Sequence, residues 1–434
     1  MPAGKRTGTP GEADIIASVD ALDDEAVSTL SELVRHGSTL GNETSAQDCV
    51  VDIFAALGLS IDRFEIDIDA IENRPGFSPV DWGYAGKTNV VATHQPRGST
   101  GRSLILNGHI DVVPTGPVDM WTDPPFEPVV RDGRLYGRGS ADMKAGIVAF
   151  TMAFKALRNL GVAPAAPVYL QSVVEEECTG NGALACLARG YTADAAVIPE
   201  PFNQMLMTAQ MGVMWFRVRV RGKPAHVLDT SAGINAIEEA LHIAQALKAL
   251  EERWNAPHVR HPAYANDEHP INFNLGIIGG GEWPSSVPTE CSFEMRVGFF
   301  PGVALADVRR EIEATIADAA AAHPGFRKDP PLLEFVGFQA EGCTVDARGD
   351  MMQALAAAHL RVTGRDAQRF ATTATTDARF FNLYGEIPAT CYGPEGRNIH
   401  GIDESVNLAS LRDVTCVLAL FIADWCGLER IGGG

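Results

Sequence analysis

Acidic and histidine side chains cluster in short segments that directly follow apolar stretches of the chain. These segments are residues 106–114, 137–146, 173–182, 197–201 and 392–401. Open α/β sheets bind ligands beyond the carboxyl ends of their strands, so we expect the segments to converge on one site. Imidazole and carboxylate donors without a thiolate pair suit Zn²⁺, Co²⁺ or Mn²⁺ in an open catalytic site.

The first two segments each have a simpler explanation when taken alone. His109 precedes Asp111 by two residues, so both side chains point to one side of an extended segment, as in a metal-bound imidazole oriented by a carboxylate. A hydrogen-bonded His–Asp pair in a loop explains the same spacing. Asp142 lies where a loop meets a long helix, and a helix dipole alone favours an acid there.

The third segment carries the run E-E-E at residues 175–177 after an apolar strand. Three adjacent carboxylates at a buried strand end are unfavourable unless a cation lies between them, although a solvated acidic loop is the alternative. The run G-x-G-x-x-A at residues 180–185 also fits a dinucleotide-binding fingerprint. A pyrophosphate bound there would face the three carboxylates, which argues against an oxidoreductase.

The last two segments add Glu200, held between two prolines, and His400, far along the chain. Each is a weak signal individually, but the five segments together supply two imidazoles and several carboxylates. Motifs of competing chemistries are absent from the sequence: there is no H-E-x-x-H, no G-x-S-x-G and no phosphate-binding G-x-x-x-x-G-K-[ST]. The set therefore favours an open catalytic metal site over a closed structural one.

Elements with regular hydrophobic periodicity must position these residues. Apolar strands are predicted at 89–93, 103–107, 168–174 and 195–198, and helices at 25–34, 45–57, 143–159 and 182–189. This alternation predicts an α/β fold with a mainly parallel sheet flanked by helices. The same alternation of helices and strands returns near the end of the chain, at residues 351–360, 387–392 and 408–426.

The middle of the chain has a different order of predicted strands and helices. Strands at 213–220, 271–278, 292–300 and 332–338 alternate with helices at 234–254 and 305–322 in the order of a ferredoxin-like unit. We therefore expect a first catalytic part at residues 1–211, an inserted α+β domain at 212–340, and a second catalytic part at 341–434.

The 434 residues carry 35 Lys and Arg against 55 Asp and Glu, a formal net charge of −20. Such a chain is repelled by phosphate backbones and anionic lipid, which argues against nucleic-acid and membrane partners. Residues 1–12 are polar without an apolar signal region, and the eight cysteines form no C-x-x-C pair. A cytoplasmic location with reduced cysteines is expected.

The ordered motifs resemble those of the M20 metallopeptidase family, and in particular its acetylornithine deacetylase and succinyl-diaminopimelate desuccinylase branch. The motifs are G-H-x-D-V-V-P at 108–114, G-S-x-D-M-K-x-G at 139–146, E-E-E at 175–177, P-E-P at 199–201, and the late His400. The resemblance runs from about residue 25 to 425 and implies a zinc-peptidase-like catalytic domain. The inserted domain would then serve as a lid and dimerisation domain.

The resemblance implies two Zn²⁺ ions, with Co²⁺ or Mn²⁺ as substitutes. The implied metal ligands are His109, Asp142, Glu177, Glu200 and His400. Asp142 would bridge the ions, with His109 and Glu200 completing one of them and Glu177 and His400 the other. Glu176, directly before the ligand Glu177, would be the general base, and Asp111 would orient His109. The run of three Glu leaves a register slip of one residue open.

The resemblance also implies residues outside the metal centre. His226 would reach across a homodimer to stabilise the oxyanion, and capping of a loop is the alternative role, which the family pattern disfavours. The implied substrate contacts are Asn274, Arg296 and Arg379. Arg379 would fork onto a substrate carboxylate, and Arg296 is the alternative for that role.

The predicted function is a di-zinc amidohydrolase that removes the acyl group from an N-acyl amino acid or a similar small N-acyl amine. A carboxypeptidase or dipeptidase acting on short peptides is the alternative within the same chemistry. A metal-binding or ligand-binding protein without catalysis is the alternative from another class. The sequence identifies neither the acyl group nor the amine, because a few loop side chains decide them.

Overall fold

A mixed sheet forms the centre of the molecule in a computed structural model that describes residues 10–326 and 329–431. Its strands, in spatial order, are Ser60–Glu65, Thr88–His94, Val168–Val173, Leu104–His109, Ala196–Ile198 and Ala389–Cys391. The last four strands run parallel to one another, whereas Ser60–Glu65 and Thr88–His94 pair antiparallel at one edge. The predicted mainly parallel sheet is thus confirmed. The prediction about residues 1–9 lies outside the described residues.

Both faces of the central sheet are buried. Successive side chains of a strand point to opposite faces, so neighbouring residues of one strand belong to different hydrophobic clusters. Leu104 and Leu106 belong to one hydrophobic cluster and Ile105 to another. The covering helices are Glu12–Asp20, Asp23–Arg35, Thr44–Ala56, Ile68–Ile71, Ala145–Asn159, Asn181–Ala188, Asp350–Thr363, Ala378–Tyr384 and Leu408–Cys426. This burial on both sides explains the near-continuous apolar runs that predicted the strands.

Residues 212–340 form a separate layer, called here the inserted unit. Its sheet has the spatial order Phe273–Gly280, Glu290–Phe299, Gly212–Arg221 and Leu332–Ala340, with every pairing antiparallel. Helices Ala236–Trp254 and Leu305–Ala322 cover one face. Strand order and connections are those of the predicted ferredoxin-like unit.

Short strands add small sheets that the hydrophobic pattern did not predict. They are Leu206–Gln210 with Cys343–Thr344 and Arg369–Thr372; Val129–Arg131 and Arg134–Tyr136 with Gly396–Arg397 and Ser405–Asn407; and Val162–Pro164 with Leu428–Arg430. Short 3-10 turns lie at Val118–Met120, Val227–Ala232, Pro257–Val259, Pro262–Tyr264 and Pro324–Phe326. Pairing of Ser405–Asn407 with Arg134–Tyr136 brings the His400 loop beside the turn Ser140–Lys144 that carries Asp142.

Two further expectations concern the whole chain. Among residues 10–326 and 329–431, no helix has the length and apolarity needed to cross a bilayer. All eight cysteines are free thiols, seven of them buried and Cys49 half-buried. The expected reduced state agrees with this arrangement.

Candidate metal centre and active site

The carboxyl ends of the parallel strands bring the predicted ligands together. His109 ends the strand Leu104–His109, and Glu200 follows the strand Ala196–Ile198 by two residues. Ligand atoms of His109, Asp142 and Glu177 all lie within 4.8 Å of one another. The convergence expected from the sheet topology is therefore present.

Asp142 lies between two imidazoles. Its Oδ1 is 3.1 Å from Nε2 of His109, and its Oδ2 is 3.4 Å from Nε2 of His400. The His109 side is buried, whereas the His400 side chain is half exposed. Burial opposes ionisation of Asp142, but the hydrogen bonds to both rings outweigh it and hold the Asp142 pKa well below its usual range.

The buried side also holds Glu176 and Glu200. Both carboxylates approach Nε2 of His109 at 3.9 Å, and Oε1 of Glu200 has no hydrogen-bond partner among the described residues. Burial raises the pKa of each carboxyl, and for Glu200 the nearby charge of Asp142 adds to this effect. A carboxylate oxygen left without a partner in such a place is suited to a cation.

The open side pairs Glu177 with His400. Nε2 of His400 lies 3.0 Å from Oε2 and 3.2 Å from Oε1 of Glu177. Partial burial opposes protonation of His400, yet the charge of Glu177 and the bond to Asp142 raise its pKa to about 11. One carboxylate, Asp142, thus joins a buried donor set to an exposed one.

His109 is held in a single orientation by Asp111, though not through the carboxylate that the spacing suggested. Nδ1 of His109 donates to the backbone carbonyl of Asp111 at 2.9 Å, and the Asp111 carboxylate is 3.7 Å away. That bond fixes a proton on Nδ1, so Nε2, which faces Asp142, is the nitrogen through which His109 would bind a metal ion.

The Asp111 carboxylate instead anchors the glutamate run. Oδ1 accepts the backbone N–H of Glu176 at 3.3 Å, and Oδ2 accepts that of Glu177 at 3.1 Å. Burial raises the pKa of Asp111 to about 7. Asp111 therefore contacts both the histidine and the loop that faces it.

Glu175 turns away from the cluster. Its side chain is fully buried and accepts hydrogen bonds from Trp82, Tyr84, Lys87 and Thr179. Of the three consecutive carboxylates, Glu176 and Glu177 face the histidines and Glu175 does not. The cation that compensates Glu175 is Lys87, a residue the sequence analysis did not select.

Glu404 is a second residue that the sequence analysis missed. Fully buried, it accepts the backbone N–H groups of Ala141 and Asp142 on Oε1 and that of Gly139 on Oε2. Arg138 donates to the same Oε2 at 2.6 Å. No spacing rule selects this residue, because its role depends on a loop that the strand Ser405–Asn407 returns to the site.

The predicted substrate contacts lie at the junction with the inserted unit. Asn274 and Arg296 face each other on neighbouring strands, and Arg296 donates to the carbonyl of Thr373 at 3.0 Å. The Arg379 guanidinium is fully buried and donates to the carbonyls of Thr179 at 2.7 Å and Thr376 at 3.1 Å. Both guanidinium groups are thus engaged by backbone in this conformation, and their substrate roles stay predictions.

Two further residues are His226, which belongs to the predicted site, and Asp377, which was not predicted. His226 is exposed in the inserted unit and accepts the N–H of Leu228 on Nδ1. No hydrogen bond or ion pair links His226 to the histidine–carboxylate cluster within the part of the chain that the structure describes. Asp377 is buried beside Arg379, and neither of its oxygens has a hydrogen-bond partner among the described residues.

The glycines behind the glutamate run serve packing rather than nucleotide binding. Gly180 has a φ of +72°, and a Cβ there would collide with Arg379 and Phe380. A Cβ at Gly182 would collide with the backbone carbonyl of Val174. These contacts explain the G-x-G spacing without a dinucleotide.

Known proteins match the chain over most of its length. The model of the family described as Peptidase family M20/M25/M40 matches residues 105–424. The N-formyl-4-amino-5-aminomethyl-2-methylpyrimidine deformylase of Halalkalibacterium halodurans is 29% identical over 440 residues, 96% of this chain and 98% of that protein. The succinyl-diaminopimelate desuccinylase of Thioalkalivibrio sulfidiphilus is 28% identical over 395 residues, 88% of this chain and 93% of that protein.

Solved structures match the fold. The dipeptidase Dug1p of Saccharomyces cerevisiae superposes with a TM-score of 0.79 at 13% identity, covering 96% of this chain and 99% of that one. Human carnosine dipeptidase 1 gives a TM-score of 0.76 at 16% identity, covering 96% of this chain and all of that one. At these identities the likeness concerns architecture alone.

Proposed function

The chain belongs to the peptidase family M20/M25/M40, and from that premise we propose that it is a di-zinc amidohydrolase acting on a small N-acyl amine. The observation that carries the proposal is the position of Asp142, whose two oxygens face His109 and His400 on opposite sides. A carboxylate placed between two histidine–carboxylate sets is the arrangement that a pair of bridged metal ions requires.

The donor set fits divalent cations. Within residues 10–326 and 329–431, no lysine or arginine forms an ion pair with Asp142, Glu176, Glu177 or Glu200, and their only charged partners are histidines. His109 and Glu200 would hold one ion, Glu177 and His400 the other, and Asp142 both. Nitrogen and oxygen donors of this kind suit zinc, with cobalt or manganese as substitutes.

Metal ions bound there would polarise the amide carbonyl and make a water molecule acidic near neutral pH. Glu176 supplies the proton transfer: its carboxylate takes a proton from the attacking water and delivers it to the leaving amine. Burial raises the Glu176 pKa, as is common for carboxyls that exchange protons during catalysis. Asp111 holds the backbone of Glu176, and so fixes where the proton is accepted.

The substrate proposed is a small N-acyl amine, including N-acyl amino acids. Relatives named as a deformylase and as a desuccinylase, each matching nearly the whole chain, support removal of an acyl group from an amine. Asn274, Arg296 and Arg379 are proposed as contacts of the amine portion. Because both arginines donate to backbone carbonyls, an amine without a carboxylate is the first substrate to test.

His226 is proposed to act on the site of a second copy of the chain. Its exposed ring lies in the inserted unit without a bond to the cluster of its own chain, so a homodimer through that unit would give it a partner. There it would donate to the oxyanion that forms as water attacks the carbonyl.

The test is a hydrolysis screen of zinc-loaded protein. The panel holds the N-formyl aminomethylpyrimidine, N-succinyl-diaminopimelate, an N-acetyl amino acid and a dipeptide, with release of the free amine as the measurement. Turnover of an N-acyl compound well above that of the dipeptide supports the proposal. Preference for the dipeptide makes the protein a peptidase, and turnover of none contradicts the proposed function.

A further inference from the structure

Residues 78–87 form a loop that lies between the glutamate run and the inserted unit; we call it the bridging loop. It belongs to neither the metal centre nor the inserted sheet, and no motif selected it. One end leads into the strand Thr88–His94 of the central sheet. Its side chains and backbone contact both the glutamate run and the inserted unit.

On the catalytic side, the loop surrounds the Glu175 carboxylate. Nε1 of Trp82 and Nζ of Lys87 each donate to Oε1 at 2.7 Å, and the Tyr84 hydroxyl donates to Oε2 at 2.9 Å. The Lys87–Glu175 ion pair is almost fully buried. Asn181 donates to the Tyr84 oxygen at 2.7 Å, which ties the loop to the turn after the glutamate run.

On the other side, the loop is bonded to the inserted unit. The carbonyl of Pro79 accepts the N–H of Gly337 at 2.9 Å, and Asp81 pairs with Arg217 at 3.2 Å. The pairing of the strand Leu332–Ala340 shifts register just where Gly337 lies. Gly337 has a φ of +68°, and a Cβ there would collide with Trp215, so the loop docks on a specially shaped part of this strand.

The hydroxyl of Ser78 forms hydrogen bonds both to the turn after the glutamate run and to the inserted unit. The buried Oγ of Ser78 donates to the carbonyl of Thr179 at 3.2 Å and accepts the N–H of Gln339 at 3.0 Å. The backbone of Ser78 is bonded in addition to the Asn181 side chain. The turn carrying the glutamates and the strand of the inserted unit are thus joined through one residue.

Glu175 connects the bridging loop to Glu176 and Glu177. Its φ of +66° is unusual for a residue with a side chain, and its carbonyl accepts the N–H groups of Thr179 and Gly180. Such a backbone persists only when its surroundings hold it, and the bridging loop provides most of the bonds to the side chain. Release of Glu175 would shift Glu176 and Glu177, which follow it directly.

We propose that the bridging loop is a positioning element that couples the inserted unit to Glu176 and Glu177, with Ser78, Asp81 and Glu175 as its contact residues. The proposal rests on the proposed function for the roles of those two glutamates. A shift of the inserted unit would reach the proton-transfer and ligand carboxylates through the loop. No residue of the loop would itself touch the substrate.

The first test replaces the shared hydroxyl. Ser78→Ala is expected to lower kcat about three- to tenfold with KM within about twofold, since one or two hydrogen bonds that set geometry are lost. Bound metal should stay unchanged. Ser18→Ala is the matched control, because its hydroxyl also links two elements, through the Ala156 carbonyl at 2.8 Å, far from the site.

Hydrogen exchange measures the coupling without any substrate. Amides of residues 175–181 should exchange several-fold faster in Ser78→Ala than in the parent, and not in Ser18→Ala. Unchanged exchange at 175–181 in a folded Ser78→Ala protein overturns the coupling. A protein that hydrolyses no acyl amine yet shows the faster exchange overturns the proposed function alone.

A surface pair provides a second test that leaves the core intact. Arg217 bonds both Asp81 of the bridging loop and Glu294 of its own sheet. Asp81→Asn should raise exchange at 175–181 about two- to threefold, whereas Glu294→Gln should not, since only the former cuts the link between the units. Equal effects of the two substitutions contradict the proposal.

Discussion

The Glu404 carboxylate accepts the backbone N–H of Asp142 at 3.1 Å. The same carboxylate accepts N–H groups from Gly139 and Ala141 and is neutralised by Arg138. Glu404 therefore fixes the turn that places the Asp142 oxygens between the two histidines. It contacts the proposed bridging ligand through backbone alone.

We predict that Glu404→Gln weakens metal binding about 10–100-fold, as loss of a supporting contact behind a ligand usually does. The amide nitrogen of glutamine would face N–H donors that now meet a carboxylate, so the turn would move. Competition with a chelator of known affinity measures the change.

Asp403→Asn is the control for Glu404→Gln. Asp403 is the adjacent residue, and it accepts hydrogen bonds from Thr122 outside the metal centre. Metal affinity equal to the parent in Glu404→Gln, with the fold intact by circular dichroism, would show that Arg138 and the remaining contacts hold the turn without Glu404.

We predict that Glu176→Gln retains metal but loses about 10²–10⁴-fold in kcat, the usual contribution of a general base. Glutamine keeps the shape and the backbone bond to Asp111, but it accepts no proton. Metal content by mass spectrometry and kcat on the best substrate are measured together. Full activity, or loss of metal with activity, would place the proton transfer on another residue.

The sequence was sufficient to predict the convergence of the candidate ligands. The carboxyl ends of parallel strands in one sheet meet at one edge whatever the loops do, so the positions of His109 and Glu200 could be predicted from the strand pattern. The motif order added Asp142, Glu177 and His400. The predicted elements are present with bounds that differ by a few residues, for example a helix at Ala145–Asn159 where 143–159 was predicted.

The supporting residues could not be predicted, because burial and distant pairing decide their roles. Glu175 and Glu176 are chemically identical neighbours, and the φ of +66° and the buried partners of Glu175, Lys87 among them, distinguish the two. No recognised sequence motif surrounds Glu404. The orientation of His109 is set by the backbone carbonyl of Asp111 rather than by its carboxylate. Such contacts depend on loop conformation, which hydrophobic periodicity does not encode.

We predict that the metal-free protein loses stability as the pH rises from about 5 to about 7.5. Burial raises the folded-state pKa of Asp111 to about 7 and also raises those of Glu176 and Glu200. The unfolded carboxyls release their protons near pH 4, so between these values the folded state binds more protons than the unfolded state. The contribution of these three carboxyls to the free energy of unfolding is therefore fully present below their unfolded-state pKa values. It is lost as the pH rises through their folded-state pKa values.

Zinc should remove this pH dependence, because cations replace the protons that keep the carboxylates together. Melting temperatures of chelator-treated and zinc-loaded protein at about pH 5 and about pH 7.5 provide the comparison. We expect the stabilisation by zinc to be larger at the higher pH. A metal-free protein whose melting temperature increases with pH over this range would contradict the raised pKa values.

We predict that activity can be restored by mixing two inactive variants, because His226 is proposed to serve the site of a partner copy. His226→Ala should lose about 10²–10³-fold in kcat, as removal of one oxyanion donor does, and Glu176→Gln supplies the complementary defect. In a heterodimer of the two, one site has both defects and the other has intact Glu176 with an intact His226 from the partner. The isolated heterodimer should therefore have about half of the parent activity, and an unfractionated random mixture about a quarter, since half of its dimers are mixed and each has one working site.

The mixing experiment requires exchange of subunits, so the variants are co-expressed with different tags and the doubly tagged species is isolated. The control is Glu176→Gln mixed with a double variant carrying both substitutions, which leaves every site defective. Recovery in the first mixture and none in the second places His226 in the neighbouring site. Heterodimers that stay inactive, or a protein that is monomeric by light scattering at assay concentration, would confine His226 to a role within its own chain.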